Sequence, residues 1–171
     1  SEEFINLFMK VDGMSYFSIL SGIVIGAVTT LIVQSSSATI GITIALAAQG
    51  LIGFEGAVSL ILGENIGTTI TALLASIGAN HNAKRAAIAH TLINVLGVLI
   101  MVAVFFPLVS FVERIIPGLA NFTINNSSDA IKYGAGIGVK PFIGSHIAAA
   151  HSIFNVSNVV LFTFLIPVLV K

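Results

Sequence analysis

Long runs of residues without acidic or basic side chains are the feature that most constrains this chain. Residues 86–112 and 141–170 contain no Asp, Glu, Lys or Arg, and Glu55 and Glu64 are the only such residues within 13–83. Each of the first two runs exceeds the roughly 20 apolar residues that cross a hydrocarbon core. A soluble helix of that length would need a charged outer face. The sequence therefore predicts an all-α integral membrane protein that crosses a lipid bilayer several times.

The composition agrees with that setting and excludes other classes of protein. Hydrophobic residues make up 56% of the chain and charged residues 8%, whereas soluble domains carry about 25% charged residues. The formal net charge of zero leaves no basic stripe for nucleic acid, and no phosphate-gripping Lys loop occurs. We expect a multi-pass protein of the plasma membrane, or of the inner membrane in a Gram-negative bacterium.

Polar interruptions divide the first half of the chain into short apolar pieces. Tyr16–Val33 is predicted to be the first apolar helix, but the apolar piece 38–48 is too short to span a bilayer alone. Residues 54–79 form two apolar pieces separated by the polar stretch 63–69. Discontinuous segments of this kind indicate a transporter's midplane binding site. We therefore predict broken helices and re-entrant hairpins over about 14–80.

The second half is simpler. It predicts long spans at about 84–112 and 142–170, joined by a connector at about 113–141 that is rich in Gly, Asn and Ser. Residues 1–171 are interpreted as a single transmembrane repeat unit.

A stripe of small residues runs along the first predicted helix. Ser18, Gly22, Gly26 and Thr30 follow one another at steps of four, so they share one face. Such stripes let helix backbones approach closely in membranes. We expect this face to pack against another helix.

A dense polar block, Gln34-Ser35-Ser36-Ser37-Ala38-Thr39, follows this helix. Unpaired polar groups at bilayer depth cost several kcal/mol each, so such a block persists where it lines a cavity or holds a solute. Hydroxyls and free amides at a helix N-terminus favour an oxyanion. A helix kink stabilised by Ser side chains bonding to the backbone is the alternative.

Further oxygen ligands occur at helical spacing. Glu64, Thr68 and Thr71 are predicted to share a helical face, and Ser35, Thr39 and Thr43 lie on a similar stripe at steps of four. Oxygen-only ligands suit a hard cation such as sodium, which would offset the charge of a bound anion. A carboxyl kept protonated by burial is the alternative for Glu64.

A short pattern with His and Asn four residues apart occurs in both predicted long spans. His90 and Asn94 in the first correspond to His151 and Asn155 in the second. The favoured interpretation is structural: these side chains tie neighbouring helices together by hydrogen bonds. Proton relay or contact with substrate is the alternative, because intramembrane His residues are functional candidates.

These motifs together resemble one repeat of the sodium-dependent phosphate cotransporter family, the type II class and its bacterial relatives. The resemblance rests on QSSSAT at 34–39, GENIGTT at 63–69 and AHSIFN at 150–155, and the last motif is more similar to the C-terminal repeat. It implies an inverted-repeat transporter in which two QSSS hairpins meet around inorganic phosphate.

By that resemblance, the phosphate ligands would be Gln34, Ser35, Ser36 and Ser37. The sodium positions would be Glu64, Thr68 and Thr71, with Asn65 beside them. Glu64 departs from the small residue expected there, which would alter cation selectivity or introduce proton coupling. The resemblance implies sodium as the co-transported ion and no organic cofactor.

The chain contains a single QSSS block, whereas a full family member carries two. We expect the second half to come from a further polypeptide segment or from another copy of the chain, as in a homodimer. The predicted function is sodium-coupled phosphate transport by alternating access, which is not enzymatic. The alternative is a non-transporting membrane module that binds phosphate as a sensor or assembly partner.

Overall fold

The structure, a computed structural model, describes the backbone of residues 11–169 and the side chains of residues 11–164. No strand occurs in this part of the chain, so the all-α prediction is confirmed. The N-terminal residues 1–10 and the predicted end of the last span at Val170 lie outside it. Its helices, named α1 to α7 in chain order, are Tyr16–Val33, Ser36–Ala48, Phe54–Ala75, His81–Ala103, Phe105–Ile115, Ser127–Tyr133 and Ile143–Leu169.

Four of these helices, α1, α3, α4 and α7, are long and apolar enough to cross a membrane. Many of their large apolar side chains point outward, and Phe17 and Phe164 are 83% and 79% exposed. Helix α3 lies at the centre, with most of its first half buried. An apolar exterior of this kind matches a hydrocarbon surrounding rather than water.

Helices α1 and α3 pack along the predicted small-residue face. Ser18, Gly22, Gly26 and Thr30 are all buried on α1. A Cβ atom at Gly26 would overlap the backbone of Leu60 on α3. Because no side chain intervenes, the two backbones come into direct contact, as in other small-residue membrane interfaces. The predicted packing seam is confirmed.

The predicted interruption of α3 at residues 63–69 is wrong, because α3 is continuous from Phe54 to Ala75. Gly63 and Gly67 allow close contact rather than a break: a Cβ at Gly67 would lie 2.6 Å from the Ala27 carbonyl oxygen. The polar side chains of this stretch also make their hydrogen bonds within the helix. Asn65 and Thr68 donate hydrogen bonds to carbonyls one turn earlier, at 2.8 and 2.9 Å.

The predicted interruption at the serine block is present. Helix α1 ends at Val33, Gln34 adopts a left-handed conformation, and α2 starts at Ser36. Helix α2 then runs back along α1 and α3. It is joined to α1 by the Thr30 and Thr39 hydroxyls, 3.1 Å apart. The two helices thus form a hairpin, and its tip is the serine block.

The predicted single span at 84–112 is also wrong, because it is divided into α4 and α5 at Val104. Pro107 explains the division. Proline has no backbone N–H to donate to the Ala103 carbonyl, and its ring clashes with that carbonyl in a continuous helix. The last predicted span is confirmed over the described part of α7.

The connector between α5 and α7 contains the short helix α6 and is fastened to the start of α3. The Asn121 side-chain oxygen, Oδ1, accepts hydrogen bonds from the Phe54 backbone amide at 3.0 Å and from Lys140 Nζ at 3.2 Å. The Asn121 amide nitrogen donates to the Glu55 carboxylate at 3.1 Å. Burial lowers the pKa of Lys140, and nearby Glu55 opposes that shift. Asn121 thus caps α3, whose own N-cap residue, Gly53, has no side chain to do so.

We expect Asn121→Ala to destabilise the protein by about 1–2 kcal/mol, because it removes a helix cap and leaves polar partners unsatisfied. Thermal unfolding in detergent measures the loss. Asn125→Ala, which alters an exposed amide of the same connector, is the control. Equal unfolding temperatures for the two variants would contradict the capping role.

Candidate functional site

A cavity with about 1080 Å³ of empty space, which is partly open to the surroundings, lies between α3, α4 and α7, beside the start of α2. We call it the larger cavity. Among the described residues, no acidic side chain, Lys or Arg lines it, and its polar lining groups are hydroxyl, amide and imidazole groups. The residues that line it are Ser36, Asn65, Thr68, His90, Ile93, Asn94, His151, Asn155, Asn158, Val159, Phe162 and Thr163.

A second cavity, which has about 920 Å³ of empty space and which we call the tip cavity, lies beside the end of α1. It is lined by Gln34, Thr68, Thr71, His90 and apolar residues of α3. Thr68 and His90 line both cavities. The two cavities therefore adjoin at these residues, next to the tip of the α1–α2 hairpin.

The hairpin tip combines an uncommon backbone conformation with the start of a helix. Gln34 has φ 58° and is the only non-Gly residue with positive φ among the described residues. Its conformation is uncommon for a residue with a side chain, and such outliers concentrate at functional sites. Ser35 caps α2 by accepting a hydrogen bond from the Ala38 amide. The Ser36 and Ser37 amides precede the first intrahelical bond and point outward from the positive end of the helix dipole.

The four predicted phosphate ligands all lie at the hairpin tip, but their side chains face different surroundings. Ser36 lines the larger cavity and Gln34 lines the tip cavity. Ser35 and Ser37 are exposed and line neither of these two cavities, and the Ser35 hydroxyl is used as the helix cap. The four residues are consecutive, so their backbone amides remain close together even where their side chains diverge.

Glu64 is fully buried between α2 and α3. Its Oε1 accepts a hydrogen bond from the Thr43 hydroxyl at 2.8 Å. Its Oε2 is buried and has no hydrogen-bond partner among the described residues. A buried carboxylate with an unsatisfied oxygen is costly unless a cation or a proton accompanies it. This oxygen therefore fits a cation-binding role.

The predicted sodium residues do not meet at one point. Thr68 and Asn65 face the larger cavity, and Thr71 faces the tip cavity. Glu64 instead faces α2, and Thr39 is buried against α1 through Thr30. The predicted sodium ligands are therefore separated: some are buried in contacts between helices, and the others line the two cavities.

Within the described part of the chain, the two His–Asn pairs make none of the predicted hydrogen bonds between helices. The amides of Asn94 and Asn155 donate to the His90 and His151 carbonyls of their own helices, at 3.1 and 2.8 Å. All four side chains line the larger cavity. The structural interpretation is wrong in this respect, because these side chains face open space rather than a neighbouring helix.

Known proteins bear directly on this arrangement. The Na+/Pi-cotransporter family matches residues 15–126, which include the hairpin, α3, α4 and α5. The chain belongs to this family. The resemblance inferred from the motifs is therefore confirmed, and the matched region contains both the serine block and Glu64.

The chain is also similar in sequence to individual known proteins. The chain is 42% identical over 97 residues to the uncharacterized protein YqeW of Bacillus subtilis, covering 57% of this chain and 32% of the relative. It is 36% identical over 115 residues to human sodium-dependent phosphate transport protein 2B, covering 65% and 16%. It is 33% identical over 91 residues to the putative inorganic phosphate export protein YjbB of Salmonella typhimurium, covering 53% and 17%.

The chain thus spans about a third or less of the length of these family members. No solved structure matches it significantly.

The sequence motifs missed several residues of the site in this family member. Asn158 is 6% exposed, lines the larger cavity and packs against Gly97 of α4. Thr163 lines the cavity near the end of the described side chains. Thr43 belongs to the predicted hydroxyl stripe of Ser35 and Thr39, but its contact with Glu64 was not predicted. A signal for Asn158 was present in the sequence, since it lies on the same helical face as His151 and Asn155 at steps of three and four.

Proposed function

We propose that this chain supplies one half of a sodium-coupled transporter of inorganic phosphate, with phosphate bound at the tip of the α1–α2 hairpin. The observation that supports this most is the interrupted hairpin itself. It presents the backbone amides of Ser36 and Ser37, which have no partner among the described residues, at a helix N-terminus beside two cavities lined in part by polar side chains. This is the arrangement that binds oxyanions without a cationic side chain.

The chemistry of the tip suits phosphate. Hydroxyls and amides of Gln34, Ser35, Ser36 and Ser37 offer donors to tetrahedral oxygens, and no carboxylate lines either cavity to repel them. A phosphate dianion there still lacks a neutralising charge from the protein. A co-bound sodium ion supplies that charge, which gives a physical reason for coupled transport.

Sodium, as a transported ion, is proposed to bind near Glu64. The unpartnered Oε2 of Glu64 supplies a buried negative ligand. Asn65 and Thr68 carry oxygens on the adjacent face of α3. One amide hydrogen of Asn65 and the hydroxyl hydrogen of Thr68 are donated to backbone carbonyls. Thr71 and Thr39 remain predicted ligands on either side. Hard oxygen ligands at the level of a helix interruption are typical of sodium sites in transporters.

Transport requires that phosphate reach both sides of the membrane in turn. We propose that a second half, from another segment of the protein or from another copy of the chain, covers the exposed hairpin tip. Alternating movement of the two halves would then expose the site to one side at a time. The relatives named for sodium-dependent phosphate transport and for phosphate export support phosphate as the transported ion.

Uptake of radiolabelled phosphate into proteoliposomes containing the whole protein tests the proposal. We expect uptake with an inward sodium gradient and little with potassium in its place. Uptake indifferent to sodium would remove the coupling. Phosphate binding at equilibrium with no net flux would favour the alternative of a non-transporting phosphate-binding module.

Ser36→Ala is the matching test of the tip. We expect the apparent phosphate affinity to fall about tenfold, because a hydroxyl donor to a charged ligand is lost. Ser21→Ala is the control, since the exposed Ser21 hydroxyl on the same hairpin bonds only to the Phe17 carbonyl. Unchanged affinity in Ser36→Ala would exclude that side chain from the phosphate site.

A further inference from the structure

The His–Asn pairs of α4 and α7 face the same cavity from helices that run in opposite directions. Helices α3 and α7 begin at the same end of the bundle, where the rings of Phe54 and His146 are 5.6 Å apart. Helix α4 follows α3 after the short turn at residues 76–80 and therefore runs back towards that end. Helix α4 is thus antiparallel to α7.

The two helices contact each other at positions that correspond in the repeated pattern. Asn158 packs where a side chain on Gly97 would lie, and no larger residue than Gly fits there. His90 precedes Gly97 by seven residues, and His151 precedes Asn158 by seven. At 1.5 Å per residue, each His lies about 10 Å from the contact, in opposite directions.

The larger cavity therefore has two polar ends. His90 lies at the end beside the hairpin tip, because it also lines the tip cavity with Gln34. His151 lies at the other end, roughly 20 Å away along the helix axes. A phosphate ion, only a few ångströms across, cannot contact both. The His151 end is a separate group of donors that the hairpin tip does not include.

The donors at the second end are available to a ligand. Asn155 uses one amide hydrogen on the His151 carbonyl and keeps the other, and its side chain is only partly buried. Asn158 is 6% exposed, lines the cavity and makes no side-chain hydrogen bond to the described residues. The His151 imidazole donates from one ring nitrogen even when neutral.

The same groups argue against a transition metal. No cluster of three or more His, Cys, Asp or Glu occurs among the described residues. The cavity lining also contains no carboxylate to repel an anion. Several neutral N–H donors converging without a carboxylate favour an oxyanion.

We propose that His151 and Asn155, with Asn158 at the near edge beside the α4–α7 contact, form a second phosphate site in the part of the larger cavity remote from the hairpin tip. It holds the ion on its way to or from the tip. This inference rests on the proposed phosphate transport and adds to it a second binding position on the opposite side of the α4–α7 contact.

Equilibrium binding of radiolabelled inorganic phosphate to the whole protein in nanodiscs tests the second site. We expect two binding classes in the unmodified protein. His151→Phe should weaken one class about tenfold and leave the other, because it removes the imidazole donor while keeping a ring. Ser36→Ala should weaken the other class. His151→Gln, which retains an amide donor, should restore much of the lost affinity.

Two further variants keep the test decisive. Asn158→Asp preserves the shape beside Gly97 but adds a carboxyl, so it should weaken the same class as His151→Phe even if the latter fails to fold. Ser152→Ala, on the outward face of α7, should leave both classes unchanged.

A single binding class that responds only to Ser36→Ala would overturn the second site while leaving the proposed function intact. So would two classes that both ignore His151→Phe and Asn158→Asp. Absence of any phosphate binding or uptake by the unmodified protein would instead overturn the proposed function, and the second site with it.

Discussion

Gly63→Ala is expected to lower the stability of the bundle by about 2–3 kcal/mol, because the added methyl group must push α1 away from α3. A Cβ at this position would overlap the Ile23 carbonyl, which belongs to a helix backbone and cannot rotate aside. The gain of about 1 kcal/mol in helix propensity from Gly to Ala is too small to compensate. The unfolding temperature in detergent measures the net effect.

The chain provides a matched control for this substitution. Gly41 lies inside α2, and a Cβ there would meet no atom within 4 Å. Gly41→Ala should therefore leave stability unchanged or raise it by up to about 1 kcal/mol. A similar response of the two variants would mean that the α1–α3 contact is looser than the structure describes.

Glu64→Gln should reduce sodium-driven phosphate uptake by about tenfold or more, because a charged ligand of the proposed sodium site becomes a neutral amide. Folding should be little affected. The Gln side chain has nearly the same shape, and its carbonyl oxygen can still accept the hydrogen bond from Thr43. The measurement is phosphate uptake as a function of sodium concentration.

The same substitution separates the two explanations for the buried carboxyl. If Glu64 only carries a proton, Gln imitates the protonated form, and the sodium dependence should stay unchanged. If Glu64 binds sodium, the half-saturating sodium concentration should rise. Glu55→Gln controls for general loss of negative charge, since Glu55 lies at the start of α3 and contacts Asn121 instead.

Local sequence patterns predicted correctly the features that depend on a single helix. The charge-free runs fixed the class of protein, and the steps of four from Ser18 to Thr30 identified the buried face of α1. The break at the serine block was also evident. Ser35 is a good helix cap, and a cluster of hydroxyls in an apolar chain disfavours a continuous span.

Local sequence patterns gave wrong predictions where glycine and polar residues can either interrupt a helix or form a contact between two helices. The stretch at 63–69 has the composition of a break, yet Gly63 and Gly67 serve as contact points, and the Thr hydroxyls bond back to their own helix. Conversely, the predicted span at 84–112 contains Pro107, and the helix is divided beside it into α4 and α5. The composition alone does not say which use applies, because both are compatible with the same residues.

The sequence by itself determined that this chain is helical, lies in a membrane and belongs with phosphate cotransporters, because hydropathy and short motifs are properties of contiguous residues. Only the tertiary structure decided which polar groups share a space. It joined Glu64 to Thr43 and turned both His–Asn pairs towards one cavity. Those outcomes depend on how helices far apart in sequence rotate and cross, and spacing within one helix carries no information about its neighbour.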